Sequence, residues 1–260
     1  MTDDERYIRP PSAESRGEAP GRGRLEGRRI LIVGGGQRVV DPETDPIGNG
    51  RAMSLLFARE GANVAVADMN LDSALETVDL ITAEGGHAFA IEADISDPED
   101  IPRMVDEASD ELGGLDGLVL NVGIGLGGLG LEGVSPESWD KTLQVNLRGP
   151  VLTCQAALPL LDDGSSVVLI SSIASMIAGS RLPAYDTSKA ALAALMRHIA
   201  MEGAPRGIRA DAPPQGRQPH PPLPDRHRLV DRGERRRVRL PDAAAARRRR
   251  SHRIPDRERG

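Results

Sequence analysis

Apolar positions fall into short dense runs that alternate with longer amphipathic stretches along the chain. RRILIVGGG, from Arg28, is a β-branched run ending in three glycines, the pattern of a buried strand. In GRAMSLLFAREGA the apolar Met53, Leu56 and Phe57 recur at helical spacing, and Gly61 stops the helix. NVAVAD predicts a second strand, LDSALETVDLITAEGG a second helix and HAFAIEAD a third strand. PEDIPRMVDEASDELGG predicts a third helix, opened by Asp97 as cap and Pro98 in the first turn. LDGLVLNVG reads as a fourth strand. SPESWDKTLQVNLRGPVLTCQAALPLL reads as one long helix opened at Ser135-Pro136. SSVVLISS is a fifth strand, PAYDTSKAALAALMRHIAMEGA a fifth helix, and GIRAD the start of a sixth strand.

Strands that alternate with helices imply parallel pairing, with crossovers on both faces of one sheet. The expected fold class is α/β: a doubly wound, three-layer parallel sheet of Rossmann type, which places ligands at the carboxyl ends of its strands. Residues 1–26 are expected to be a disordered tail or an over-long gene start, 27–212 the folded nucleotide-binding domain, and 213–260 an Arg/Pro-rich tail. The 260 residues suffice for one large domain with a sizeable core, or two small ones. The net charge of −6 hides two opposite parts. From Arg206 onward 17 Arg stand against 7 Asp and Glu, giving +10, and the rest of the chain carries −16. The acidic part suits a cytoplasmic protein; the basic part could suit an anionic partner. Cys154 is the only cysteine, so no internal disulfide can form, and its ordinary role is a small buried apolar group. The polar start has no leader-like apolar stretch, and no apolar run approaches the ~20 residues of a membrane helix.

Candidate chemistry gathers at the predicted strand ends. Gly34-Gly35-Gly36 closes the first strand, and Gly48-Asn49-Gly50 opens the first helix. Gly35, Gly48, Asn49 and Gly50 could let a pyrophosphate approach the backbone at a positive helix end, although a plain tight turn uses glycines equally well. Asp68 ends the second strand, where a carboxylate can accept bonds from ribose hydroxyls and would repel a 2′-phosphate. No cation follows it in ADMN, so NAD is favoured over NADP; a solvated loop acid is the bland alternative. Asp94, with Ile95 beside it, is placed for an adenine contact or simply caps SDPED. Tyr185 and Lys189 in YDTSK are four apart on a helix and share a face. An ammonium beside a phenol favours the phenolate, which suits acid–base work near neutrality. Ser172, at the end of the fifth strand, adjoins the same cleft. No metal site is expected.

These motifs resemble the short-chain dehydrogenase/reductase family over roughly Gly27 to Ala212. The resemblance implies that Tyr185 exchanges a proton with the substrate oxygen and Ser172 orients that oxygen. It also implies that Lys189 holds the nicotinamide ribose and that Asn146, in QVNLRGP, supports a water relay to Lys189. Asn121 and Gly123 match the family's Asn-Asn-Ala-Gly motif, whose first Asn is Leu120 here. The implied function is NAD-dependent interconversion of a secondary alcohol and a ketone by hydride transfer. The alternative is a catalytically inactive nucleotide-binding remnant.

Two departures stand out. The glycine loop carries extra residues between Gly35 and Gly48, among them Asp41, Glu43 and Asp45, which could form a lid over the cofactor. After GIR, the family's Pro-Gly, substrate-covering loop and seventh strand are absent; 8 Pro and 17 Arg follow from Arg206 on. With 31 Arg and 2 Lys in the whole chain, a GC-rich gene with a shifted frame is favoured. A natural disordered tail remains open, and a nucleic-acid-binding tail is the least favoured, since no aromatic follows Tyr185. Helices around Trp139–Leu160 and Tyr185–Met201 match the family's homodimer interface. The loop from Gly123 to Pro136 is flexible and apolar, which hints at an uncharged substrate.

Overall fold

The computed structural model describes residue 13 and residues 19–38, 46–177 and 179–213. Residues 39–45 of the insert, which hold its three acidic side chains, and the Arg-rich stretch from 214 onward lie outside the described residues. Among the described residues six parallel strands form one sheet in the order β3-β2-β1-β4-β5-β6: β1 (Arg29–Val33), β2 (Asn63–Asp68), β3 (His87–Glu92), β4 (Leu115–Leu120), β5 (Leu161–Leu169) and β6 (Arg209–Asp211). Register places Leu31 opposite both Ala65 and Leu118, so the most apolar strands lie at the centre. The order reverses between β1 and β4, which opens a crevice at the carboxyl ends of those strands.

Alternation along the strands divides the core in two. Leu31, Ala65, Leu118, Val167 and Leu169 meet α3 (Asp100–Leu112), α5 (Gly149–Ala157) and α6 (Pro183–Gly203) on one face. Ile30, Ile32, Val64, Val66 and Val119 meet α1 (Asn49–Arg59) and α2 (Leu71–Ala83) on the other. Both faces of the inner strands are therefore covered, as the doubly wound reading requires. Cys154 sits in the first cluster at 2% exposure, and burial pushes its thiol up to about 12.

Several boundaries differ from the sequence reading. α3 opens at Asp100, not at Asp97-Pro98, because the Asp97 carboxylate accepts from Glu99 N–H at 3.0 Å and closes a separate turn first. The single long helix is two pieces, α4 (Pro136–Leu143) and α5, joined by a π-helical turn at Gln144–Arg148. Pro150 has no N–H to offer the Asn146 carbonyl, and Gly149 N–H reaches back five residues to Gln144 O. The start is as expected: Ser135 and Ser138 form a reciprocal capping box ahead of Pro136. β5 begins at Leu161, inside the expected helix, and ends three residues before Ser172.

The expected tail up to residue 26 is not all tail. Among its described part, Leu25 packs on the second core cluster and donates its N–H to Glu60 O. The Arg24 side chain and the backbone N–H groups of Arg24 and Arg22 bind the buried Glu60 carboxylate and hold it down to about 2.

Candidate active site

Lys189 is the centre of the site. It lies on α6 at 3% exposure, and its ammonium donates to Val122 O at 3.1 Å and Ile170 O at 2.8 Å. Those carbonyls lie two residues past β4 and one past β5, so one cation ties together the segments that leave two neighbouring strands. Burial pushes the Lys189 ammonium down to about 8. Tyr185 stands one turn earlier on the same face of α6, with the Lys189 Nζ 6.0 Å from its ring centroid. Pro183 starts the helix and Ala184 is buried, which seats the half-buried Tyr185 beside Gly125, in the loop that follows β4.

Asn146 is fully buried in the π-helical turn. Its side chain exchanges two bonds with the backbone of Ile124, both 2.8 Å, and donates to Ser188 Oγ at 3.0 Å. A built Cβ on Gly123 would come within 2.9 Å of Lys189 Nζ, so a side chain there would displace the ammonium. Gly125 similarly abuts Leu182 and Tyr185, and Gly130 N–H donates to Arg181 O at 2.8 Å. These contacts fold the loop 121–135 across the start of α6. Arg181 adopts a left-handed φ of 61° at that junction. Ser172 caps the short turn Ile173–Ser175, accepting from Ala174 N–H at 3.2 Å, and that turn packs against α6.

Two serines escaped the sequence reading. Ser188 links Asn146 to the Tyr185 carbonyl, to which it donates at 2.7 Å, and Ser171 donates to Lys189 O at 2.9 Å. Ser188 lies inside YDTSK, so its position was a signal; nothing in its spacing told which group it would meet. Among the described residues no buried side-chain polar atom lacks a partner.

The glycine turn supplies a cradle of the kind a dinucleotide needs. A built Cβ on Gly50 would lie 1.9 Å from Gly34 O, and one on Gly35 would lie 2.8 Å from Val66 Cγ1. The start of α1 thus rests on the turn with no side chain between them. Gly48 caps α1, but its N–H is taken by Gln37 Oε1 at 3.1 Å. Asn49 is the first residue of α1. Asn121 Nδ2 bonds Gly34 O at 2.8 Å and ties the turn to the end of β4. Asp68 ends β2 beside this turn. One carboxylate oxygen accepts from Gly36 N–H at 3.0 Å and the other from Asn70 N–H at 3.1 Å, which leaves each further acceptor capacity. These residues fit an adenosine dinucleotide. Asp94 spends its carboxylate on Ser96, accepting from its N–H and its hydroxyl, both at 2.8 Å. That is the capping alternative, and Ile95 beside it is buried. Among the described residues no His, Cys, Asp and Glu gather to hold a metal, and no helix is long and apolar enough to cross a membrane.

A parallel α/β sheet with a glycine cradle at its switch point, and a buried lysine one turn from a tyrosine, defines the class of dinucleotide-dependent oxidoreductases. A family model described as enoyl-(acyl carrier protein) reductase matches residues 46–214. A probable galactose dehydrogenase of Rhizobium meliloti is 36% identical over 191 residues, covering 72% of this chain and 70% of that protein. A 2-(R)-hydroxypropyl-CoM dehydrogenase of Xanthobacter autotrophicus is 36% identical over 174 residues, covering 64% of this chain and 68% of that one. The crystal structure of a short-chain dehydrogenase/reductase from Burkholderia xenovorans superposes with a TM-score of 0.68 at 31% identity, covering 74% of this chain and 76% of that one. The chain belongs to the short-chain dehydrogenase/reductase family of NAD(P)-dependent oxidoreductases.

Proposed function

We propose that the chain interconverts a secondary alcohol and a ketone, with NAD as the hydride carrier and Tyr185 as the proton donor and acceptor. The observation that carries this reading is the buried Lys189, held between the ends of β4 and β5 one turn from Tyr185. When bound, the nicotinamide cofactor supplies or accepts the hydride. Tyr185 gives its phenolic proton to the developing alkoxide in reduction and takes it back in oxidation. Lys189 stands over the Tyr185 ring and offers its ammonium to the nicotinamide ribose. Ser172 orients the substrate oxygen, and Asn146 holds the Ile124 backbone and Ser188 around the lysine.

Asp68 supports NAD over NADP, because a 2′-phosphate would meet a carboxylate already beside the glycine turn. Gly35, Gly48, Asn49 and Gly50 would face the pyrophosphate, Asp94 and Ile95 the adenine, and Asn121 and Gly123 the middle of the cofactor. Exposed Leu126, Leu129 and Leu131 on the loop 121–135, with Met176 and Ile177 past β5, support an uncharged, apolar substrate. We place the enzyme in the cytoplasm, and assign it a homodimer built on α4–α5 and α6.

The test is Tyr185→Phe assayed on a panel of secondary alcohols. We expect turnover to fall by ~10²-fold or more, with NADH binding, read by fluorescence, retained. A variant as active as the parent overturns the assigned role. NADH binding without turnover by the parent chain on any alcohol would make the protein a binding remnant instead.

A further inference from the structure

Ser96, in the turn between β3 and α3, is buried, and every polar group it owns is engaged. Its N–H and hydroxyl both go to Asp94, as described. Its hydroxyl also accepts from Lys141 Nζ at 2.9 Å. Its carbonyl accepts from Gln144 Nε2 at 2.8 Å and Arg148 Nη2 at 3.0 Å. Lys141, Gln144 and Arg148 are spaced by three and four residues, so they share one face of α4 and the π-helical turn. Asn146 lies two residues from both Gln144 and Arg148 and makes its contacts, with Ile124 and Ser188, on the opposite face. At the next residue, a built Cβ on Gly149 would lie 2.7 Å from Ile95 O, so the helix also rests directly on the turn. Among the described residues neither Lys141 nor Arg148 pairs with a carboxylate; both exposed cations aim at this single serine.

One helical segment thus touches the adenine-side turn with one face and the surroundings of Lys189 with the other. We propose that Lys141, Gln144 and Arg148 are positioning residues that act through Ser96. They fix the turn of Asp94 and Ile95, and with it the adenosine end of the dinucleotide, at a set distance from the Tyr185–Lys189 pair. The inference rests on the dinucleotide reading given above. Packing alone could use any apolar contact; three convergent donors on one hydroxyl and one carbonyl specify the position of a turn whose own residues would meet the ligand.

The test uses the full chain, with NADH binding followed by fluorescence and competition by AMP and by nicotinamide mononucleotide. In Lys141→Ala/Arg148→Ala, both sites being exposed, AMP and NADH are expected to bind about tenfold more weakly. Competition by the mononucleotide, kcat at saturating NAD and the melting temperature are expected to stay as in the parent. Lys141→Arg/Arg148→Lys, which keeps both donors, is expected to recover AMP binding. Unchanged AMP binding in the Ala variant overturns the inference alone. So does equal weakening of AMP and the mononucleotide together with a lowered melting temperature, the mark of general loosening. A parent chain that binds neither NADH nor AMP overturns the dinucleotide reading, and this inference with it.

Discussion

Lys189 carries opposite demands, burial and charge. An unfolded chain keeps its proton to near 10.5, whereas the folded chain releases it near 8, because the ammonium is desolvated. Between those values the unfolded state binds more protons, so the lysine's contribution makes stability rise with pH from about 8 to 10.5. Relative to Lys189→Met, the parent chain is expected to gain up to ~3 kcal/mol across that window. Denaturant titrations of both proteins at several pH values check this; parallel curves would contradict it. Gly123→Ala tests the same lysine from the other side. Its methyl would press on the flexible end of Lys189, so we expect stability to change by less than ~1 kcal/mol and turnover to fall by more than ~10-fold. A loss of stability with turnover intact would place the strain elsewhere.

At the scale of elements, the start of α1 is set by backbone contact. Gly→Ala in an open helix gains ~1 kcal/mol. At Gly50 the added carbon would lie 1.9 Å from Gly34 O, so the sign is expected to reverse, with a loss of ~2 kcal/mol or more. Denaturant midpoints of Gly50→Ala decide it. Elements were legible in the sequence where a local device marked them: the β-branched runs, Ser135-Pro136, the glycine at 61. They were misjudged where a distant partner or a missing donor decided. Leu161 reads as the end of the long helix, yet it pairs with Leu115 and starts β5. Pro150 was visible, but the π-helical turn it produces was not. Tyr185, Lys189 and Ser172 stood out by residue type and spacing. The carbonyls of Val122 and Ile170, which hold the lysine, have no residue signature at all.

For the whole molecule, coverage of the sheet is uneven. Among the described residues three helices, α3, α5 and α6, back one face, while α1 and α2 back the other. Ser166 and Val168 are accordingly only half-buried on that second face, and among the described residues β6 is the sheet edge. We expect a fragile fold, melting below the ~45–65 °C common among mesophilic domains; a cooperative calorimetric transition above that range would contradict this. Val151 on α5 and Met201 near the end of α6 are exposed apolar groups on helices assigned to self-association. Sedimentation is expected to give a dimer, and a monomer at high concentration would remove that assignment.

The lone thiol of Cys154, sealed in the core and slow to ionise, has a practical corollary. A disulfide reagent can consume it only during excursions that break α5 from the sheet. The rate of that colour reaction, followed in the native chain without any engineered label, therefore clocks how often the molecule opens, and bound NADH should lengthen the interval.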